Sequence, residues 1–282
     1  MKNLFGEYTP YTETEILSGI EQLSPVVLVA FSGGNDSRVL AHVALPWAES
    51  SGIDLRLAAI RTGLQMDGWQ RSIEDYADWI GLPLEIYTGE GFAYYRAYVE
   101  EYGFPGNAKH SQIQNRLKGR AFRKMKKAHK NGLVILSGIR KAESERRARL
   151  VSPYSEREGV RFVNPLFNWS DVKLYDYMDY HDIPPAAGKQ WDCKCGATAK
   201  NADAEWAEIE TKAPRLHAQL CDLNNPSPWD WGKFDRHAHA IGRQLDAGQQ
   251  WLDDGSLESF PVCVNCWRDK AAQDEAALEE WT

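Results

Sequence analysis

Residues 26–37 read Val26-Val27-Leu28-Val29-Ala30-Phe31-Ser32-Gly33-Gly34-Asn35-Asp36-Ser37. The run from Val26 to Phe31 is apolar without alternation, which suits a strand buried on both faces, as in a parallel sheet layered between helices. The glycine loop follows at once, and Arg38 to Trp47 then reads as a helix with Val39, Leu40, Val43 and Ala44 on one face. In open parallel sheets, ligands sit past the carboxyl ends of strands, so this loop is well placed to hold one. Gly33 and Gly34 allow backbone angles and a close approach closed to other residues. Successive N–H groups and the positive end of the next helix suit a phosphate. Ser32 and Ser37 add hydroxyl donors. Asp36 would repel a phosphate directly, so its role is to hold the loop in shape or to contact a metal that accompanies the phosphates. No Gly-Lys-Ser/Thr follows, so this is not the common P-loop. The plain alternative is a glycine turn joining strand to helix; two glycines flanked by two serines and an aspartate favour phosphate.

Outward from the loop, strands are expected at 55–60, 83–87, 133–137 and 161–163. Helices are expected at 68–80, 111–130 and from Ser170, as N-cap, to about His181, where Pro184-Pro185 stops the pattern. An aromatic stretch from Phe92 leads to a turn at Pro105-Gly106. Strand alternating with helix predicts an α/β fold: a parallel, Rossmann-like sheet flanked by helices. Past Gly188 the pattern becomes mostly helical and rich in Trp, from Trp191 to Trp281. We expect a nucleotide-binding domain over 1–187 and a helical C-terminal region over 188–282.

A formal net charge of −7 argues against binding polyanions over the whole surface. The basic residues are concentrated instead. Arg116, Lys118, Arg120, Arg123, Lys124, Lys126, Lys127 and Lys130 occur with no acid among them. On a helix, Arg116–Lys130 makes either a solvated face or a polyanion site, for nucleic acid or for the ligand's own phosphates. Neither a membrane-spanning run nor a leader pattern is seen at the N-terminus, so a cytoplasmic protein without membrane attachment is expected. The sequence is silent on oligomeric state.

Ser-Gly-Gly-x-Asp-Ser resembles the loop of the PP-loop, or adenine nucleotide α-hydrolase-like, superfamily. Thr62-Gly63-Leu64 is similar to the Thr-Gly segment of phosphoadenosine phosphosulfate (PAPS) reductases. Gly138-Ile139-Arg140, followed by Glu143-Ser144 and Arg147, is similar to their Gly-Ile-Arg…Glu-Ser…Arg segment. Asn164-Pro165-Leu166 with Trp169 and Tyr177 matches a further one. The resemblance spans about residues 24–200. It implies ATP or a related adenine nucleotide, with Mg2+, on Ser32, Gly33, Gly34, Asn35, Asp36, Ser37, Thr62, Gly63, Gly138, Arg140 and Arg147. Arg140 and Arg147 would neutralise phosphate or sulfate, a task for which the guanidinium fork is suited. With Asp36 they are the catalytic candidates. Glu143 and Ser144 would orient the arginines or cap the next helix.

The chain departs from the reductase in three places. The C-terminal Glu-Cys-Gly-x-His segment that carries the attacking cysteine is absent. Arg61 stands where the family has aspartate before Thr-Gly, and no double cysteine lies near His110. Cleavage of the α–β phosphate bond of ATP, linked to sulfur transfer onto nucleic acid, is therefore the first expectation. Reduction of an activated sulfate is the second, and a non-catalytic nucleotide-binding module of a phage or defence system the third. Of the 5 cysteines, Cys193/Cys195 and Cys263/Cys266 form close pairs. Thiolates suit a 4Fe–4S cluster or zinc; the resemblance, whose iron–sulfur members carry a cysteine pair at about this place, implies the cluster before zinc, and unrelated buried cysteines are the alternative. Cys221 reads as core.

Overall fold

A computed structural model describes residues 12–20, 26–105, 110–129, 132–150, 152–157, 159–186, 194–196 and 202–224. Its sheet has six strands: β1 (Val26–Ala30), β2 (Asp54–Arg61), β3 (Leu84–Thr88), β4 (Val134–Leu136), β5 (Tyr154–Arg157) and β6 (Val160–Val163), in the order β3-β2-β1-β4-β6-β5. β1 pairs in parallel with β2 (Val27 opposite Leu55) and with β4 (Leu28 opposite Ile135). β4 pairs in parallel with β6, and β5 returns antiparallel along β6. The expected α/β fold with a parallel sheet is thus present; the antiparallel edge strand β5 was not anticipated.

The two faces of β1 bury different partners, as its unbroken apolar run requires. Val27, Val29 and Phe31 join α1 (Glu13–Ser18), α2 (Asn35–Ser51), α3 (Trp69–Ile80) and α7 (Asp171–Tyr180) in one core. Leu28 faces the other way, with Ala58, Ile135, Phe122 and Met125, the last two from α5 (His110–Ala128). Val27, Leu28 and Val29 are each 0% exposed, and each contributes roughly 1.5–3 kcal/mol through that burial. The expected cap of α7 is present: the Ser170 hydroxyl accepts from Lys173 N at 3.1 Å.

Two differences from expectation have local causes. The second helix begins at Asn35 rather than Arg38, so Asn35, Asp36 and Ser37 belong to its first turn. An acid there is favoured by the helix dipole. The aromatic stretch forms α4 (Gly91–Tyr102), where Tyr95, Tyr98 and Val99 are buried. Bulky rings obscured a periodicity of three and four.

The chain forms two compact units. One comprises 1–60, 69–87 and 122–191; the other comprises 61–68, 88–121 and 192–282. In the second, the described part of the C-terminal region supplies α8 (Ala202–Lys212) and α9 (Pro214–Asn224). Arg96 of α4 pairs there with Asp222 of α9 at 3.9 Å.

At the first unit's β2–β3 side, Glu85 holds the end of α5. Its Oε2 accepts from His129 Nε2 at 3.0 Å and from the Tyr87 hydroxyl, and Oε1 accepts from Arg56 at 2.9 Å. Burial pushes the carboxyl pKa up, but these donors outweigh it and hold the group below its ordinary value of 4.5. A depressed folded-state pKa contributes stability above the ordinary carboxylate range, and this is lost as pH falls through the folded value. Glu85→Gln is expected to lower the melting temperature near neutral pH and to flatten its decline below about pH 4.5. Thermal denaturation at stepped pH measures both.

Candidate functional site

The chain leaves β1 outward to β2 and β3, then returns to β4 on the other side of β1. The switch point therefore lies between β1 and β4, where a parallel sheet opens a crevice at its carboxyl edge. The segments after these strands, Ser32–Ser37 and Ser137–Arg140, are the ones the sequence singled out.

Gly33 takes φ +87, and a Cβ there would come within 2.8 Å of Ile73 Cγ2. Only glycine fits. Gly34, the N-cap of α2, has φ −75 and ψ 163, an ordinary extended conformation. Its added Cβ would meet only Ser32 Oγ, at 3.5 Å. The backbone freedom expected of both glycines is thus used at Gly33 alone; Gly34 matters through the open space in front of it. Trp69 Nε1 donates to Ser32 O at 2.8 Å, and the Ser37 hydroxyl donates to Gly34 O at 2.8 Å. The Ser37 hydroxyl proton is therefore committed within the loop. Asn35 Oδ1 accepts from Ala186 N at 2.8 Å, tying the loop to the segment after α7.

Asp36 and Arg140 meet across the crevice at 2.5 Å. Arg140 is buried and also donates to Asp171 Oδ1 at 2.8 Å and to Trp169 O at 3.4 Å. Burial disfavours its charge, yet the carboxylates of Asp36 and Asp171 prevail and raise its pKa. Arg140 N donates to Glu143 Oε2 at 3.0 Å, and the same carboxylate pairs with Arg147. The Ser144 hydroxyl accepts from Arg147 N at 3.2 Å. Of the two roles expected of them, Glu143 takes the first, joining the Arg140 backbone to the Arg147 guanidinium, and Ser144 takes the second, capping the short helix that carries Arg147. The Arg147 side chain keeps 31% exposure; burial lowers its pKa, with Asp36 opposing and Arg140 reinforcing the shift.

Asp36, Gly138, Arg140, Glu143 and Arg147 are therefore brought together beside Ser32–Ser37. Thr62 and Gly63 lie in the second unit. Thr62 is buried and its hydroxyl accepts from Leu64 N at 3.3 Å. Gly63 has φ +84, and a Cβ would come within 2.5 Å of Phe92 N. In the same unit Lys194 N donates to Leu64 O at 2.9 Å, and the Tyr95 hydroxyl donates to Cys195 O at 2.8 Å. Cys195 is buried, with Gln114 Nε2 at 3.9 Å from its Sγ. Cys193, Cys263 and Cys266 lie outside the described residues, as do the side chains of His110 and Lys130. Among the described residues no group of three or more His, Cys, Asp or Glu is placed to hold a metal ion. No described helix is long and apolar enough to cross a membrane.

Two features escaped the sequence reading. Arg38 is buried directly behind the loop, although an arginine in the first turn after a glycine loop was visible as a signal. Asn164, at the carboxyl end of β6, keeps a buried Oδ1 without a hydrogen-bond partner; the resemblance marked the Asn164-Pro165-Leu166 segment, but not this oxygen.

Residues 26–187 match the model of the phosphoadenosine phosphosulfate reductase domain. The chain belongs to that family. Its fold is that of the PP-loop superfamily. A curated relative, an uncharacterized protein of Methanocaldococcus jannaschii, is 28% identical over 242 residues. That alignment covers 83% of this chain and 46% of the relative, so the chain spans under half the relative's length. Among solved structures, a PAPS reductase from Candida auris in phosphate complex aligns with TM-score 0.46 and 16% identity, covering 62% of this chain and 82% of that one. An FMN adenylyltransferase from Candida glabrata in complex with ATP gives TM-score 0.46 and 16% identity, covering 81% and 83%. The NH3-dependent NAD synthetase of Campylobacter jejuni gives 0.41 and 14%, covering 79% and 94%.

The crevice is tight at Gly138. A Cβ there would stand 3.2 Å from Asp36 Cβ and 3.3 Å from the Asp36 carbonyl. Gly138→Ala is expected to push the first turn of α2 away from β4 and cost about 1–3 kcal/mol. Chemical denaturation measures that loss, and a variant as stable as the parent would show that the two segments do not pack as described.

Proposed function

We propose that this chain binds ATP or a related adenine nucleotide, with its phosphates on Ser32–Ser37, and cleaves the α–β phosphate bond. The products are an adenylated acceptor and pyrophosphate. The observation that carries the reading is the loop's place: a glycine turn at the N-terminus of a 17-residue helix, on the β1–β4 switch point of a PAPS reductase-family sheet. Loop amides and the positive helix end would receive the phosphate oxygens. The close approach falls to Gly34. Arg147, partly exposed although paired with Glu143, is the guanidinium proposed to meet phosphate charge. Arg140 is committed to Asp36, Asp171 and Trp169, so its proposed part is to hold the crevice rather than to meet the ligand. Asp36 engages Arg140 through Oδ1. Its Oδ2 is the oxygen left for Mg2+, which neutralises triphosphate charge when it arrives with the nucleotide.

Reduction of an activated sulfate, the activity in the family's name, is the second reading, and a nucleotide-binding module without turnover the third. The domain boundary near 187 and a cytoplasmic location remain parts of the same proposal. Arg116, Arg120, Arg123, Lys124 and Lys127 of α5 are exposed, which supports a nucleic-acid partner; a mobility shift that weakens steeply with salt tests it. Cys195, a buried thiol, is offered as one ligand of the four-cysteine centre, which would tie the C-terminal region to the fold when filled. About four irons, or about one zinc, per chain by elemental analysis identifies it; a folded protein with neither removes it.

α-Labelled ATP with Mg2+ and the pure protein separates the readings: AMP formation supports cleavage, and binding without AMP supports the module. Gly34→Val is expected to abolish binding by calorimetry while its melting temperature stays close to the parent's. Equal affinity of variant and parent would sink the loop assignment.

A further inference from the structure

Arg38 lies in the first turns of α2 and is 3% exposed. Its donors all go to neutral acceptors on three segments. Nε donates to Gly33 O at 2.9 Å, Nη1 to Pro184 O at 3.1 Å, and Nη2 to Ser72 O at 3.2 Å and Ser72 Oγ at 2.8 Å. The guanidinium stands over the Tyr76 ring at 4.7 Å, and the Tyr76 hydroxyl returns a hydrogen bond to Arg38 O at 2.6 Å. Among the described residues Arg38 has no ion-pair partner. The carboxylate whose field reaches it is Asp75, which itself lies 3.8 Å from Arg71. Burial lowers the Arg38 pKa, and arginine stays charged regardless.

A buried cation without a carboxylate is costly. This one also sits near a helix N-terminus, where the dipole is already positive. Both positive features stand behind one loop. Asp36, the acid in that loop, is turned to Arg140. Four acceptors and the Tyr76 ring nonetheless hold the guanidinium in place, so the frustration belongs to the ligand-free fold. An anion in front of Ser32–Ser37 is the group that relieves it.

We infer that Arg38 is a positioning residue of the nucleotide site. It draws the Gly33 carbonyl inward, so that the loop offers N–H groups to the ligand. Its uncompensated charge then favours the phosphate portion over the nucleoside portion. Through Pro184 it also fixes the segment that Asn35 holds at Ala186. The inference rests on the nucleotide reading above.

The test compares ATP, pyrophosphate and adenosine by calorimetry on the parent, Arg38→Met and Arg38→Lys. A unit charge several ångströms behind the loop changes anion affinity by on the order of tenfold or more. Arg38→Met is expected to lose that factor for ATP and pyrophosphate while adenosine binding stays within about twofold of the parent. Arg38→Lys, which keeps charge without the fork, is expected to regain part of the pyrophosphate affinity. Equal ATP affinity in parent and Arg38→Met overturns the inference alone. So does a parallel loss of adenosine binding in both variants, the mark of a purely structural role. If the parent binds ATP and Arg38→Met does not fold, Arg38→Lys decides: retained pyrophosphate binding supports the inference and lost binding overturns it. A parent that takes none of the three ligands overturns the nucleotide reading itself.

Discussion

Everything at the carboxyl edge of the sheet depends on the pair between Asp36 and Arg140. One partner stands in the first turn after β1, the other just past β4. These are neighbouring strands whose chain connections diverge, so nothing covalent nearby holds their following segments together. The ion pair does so, in a crevice narrow enough that a Cβ at Gly138 would press on Asp36. Arg140 is tied in turn to Asp171 at the start of α7 and Glu143 links its backbone to Arg147. Removing either carboxylate would leave a buried guanidinium short of a partner, a larger penalty than the pair's own attraction suggests.

The fold was legible because its decisive signal is local. Six apolar residues followed by a glycine loop and an amphipathic run specify strand, turn and helix without long-range information. The registers of β1 against β2 and β4 obey the same rule of two-sided burial. What stayed hidden depends on tertiary partners. The strand β5 has mixed composition and exists by pairing with β6. The helix α4 is a run of aromatics whose buried face emerges only from packing. At the site, residue types were readable but their allegiances were not. A free-looking arginine in the sequence, Arg140, is committed to protein carboxylates. Arg38, which looked like an ordinary helix residue, stands behind the loop.

The two glycines of the loop divide their duties in a way sequence could not separate. Positive φ and the Ile73 methyl group impose glycine at position 33, whereas position 34 has an ordinary backbone and open space. Asn35 likewise looks like a ligand contact and is bonded to Ala186. The cysteines illustrate a different limit. Two pairs far apart in the chain suggest a shared centre by chemistry, and Cys195, the member within the described residues, is buried beside Tyr95 and Gln114.

The strand β5 carries a consequence for assembly. A parallel sheet ends in a row of unpaired amides and carbonyls, to which any extended segment could add. Here the chain folds back as a four-residue strand, Tyr154–Arg157, whose sequence carries Glu156 and Arg157. Glu156 is directly opposite Arg161 of β6, with its carboxylate 3.6 Å from the guanidinium. A short border with charges along it is a poor template for another strand. Among the described residues, the sheet on this side ends in a border ill suited to growth by strand addition.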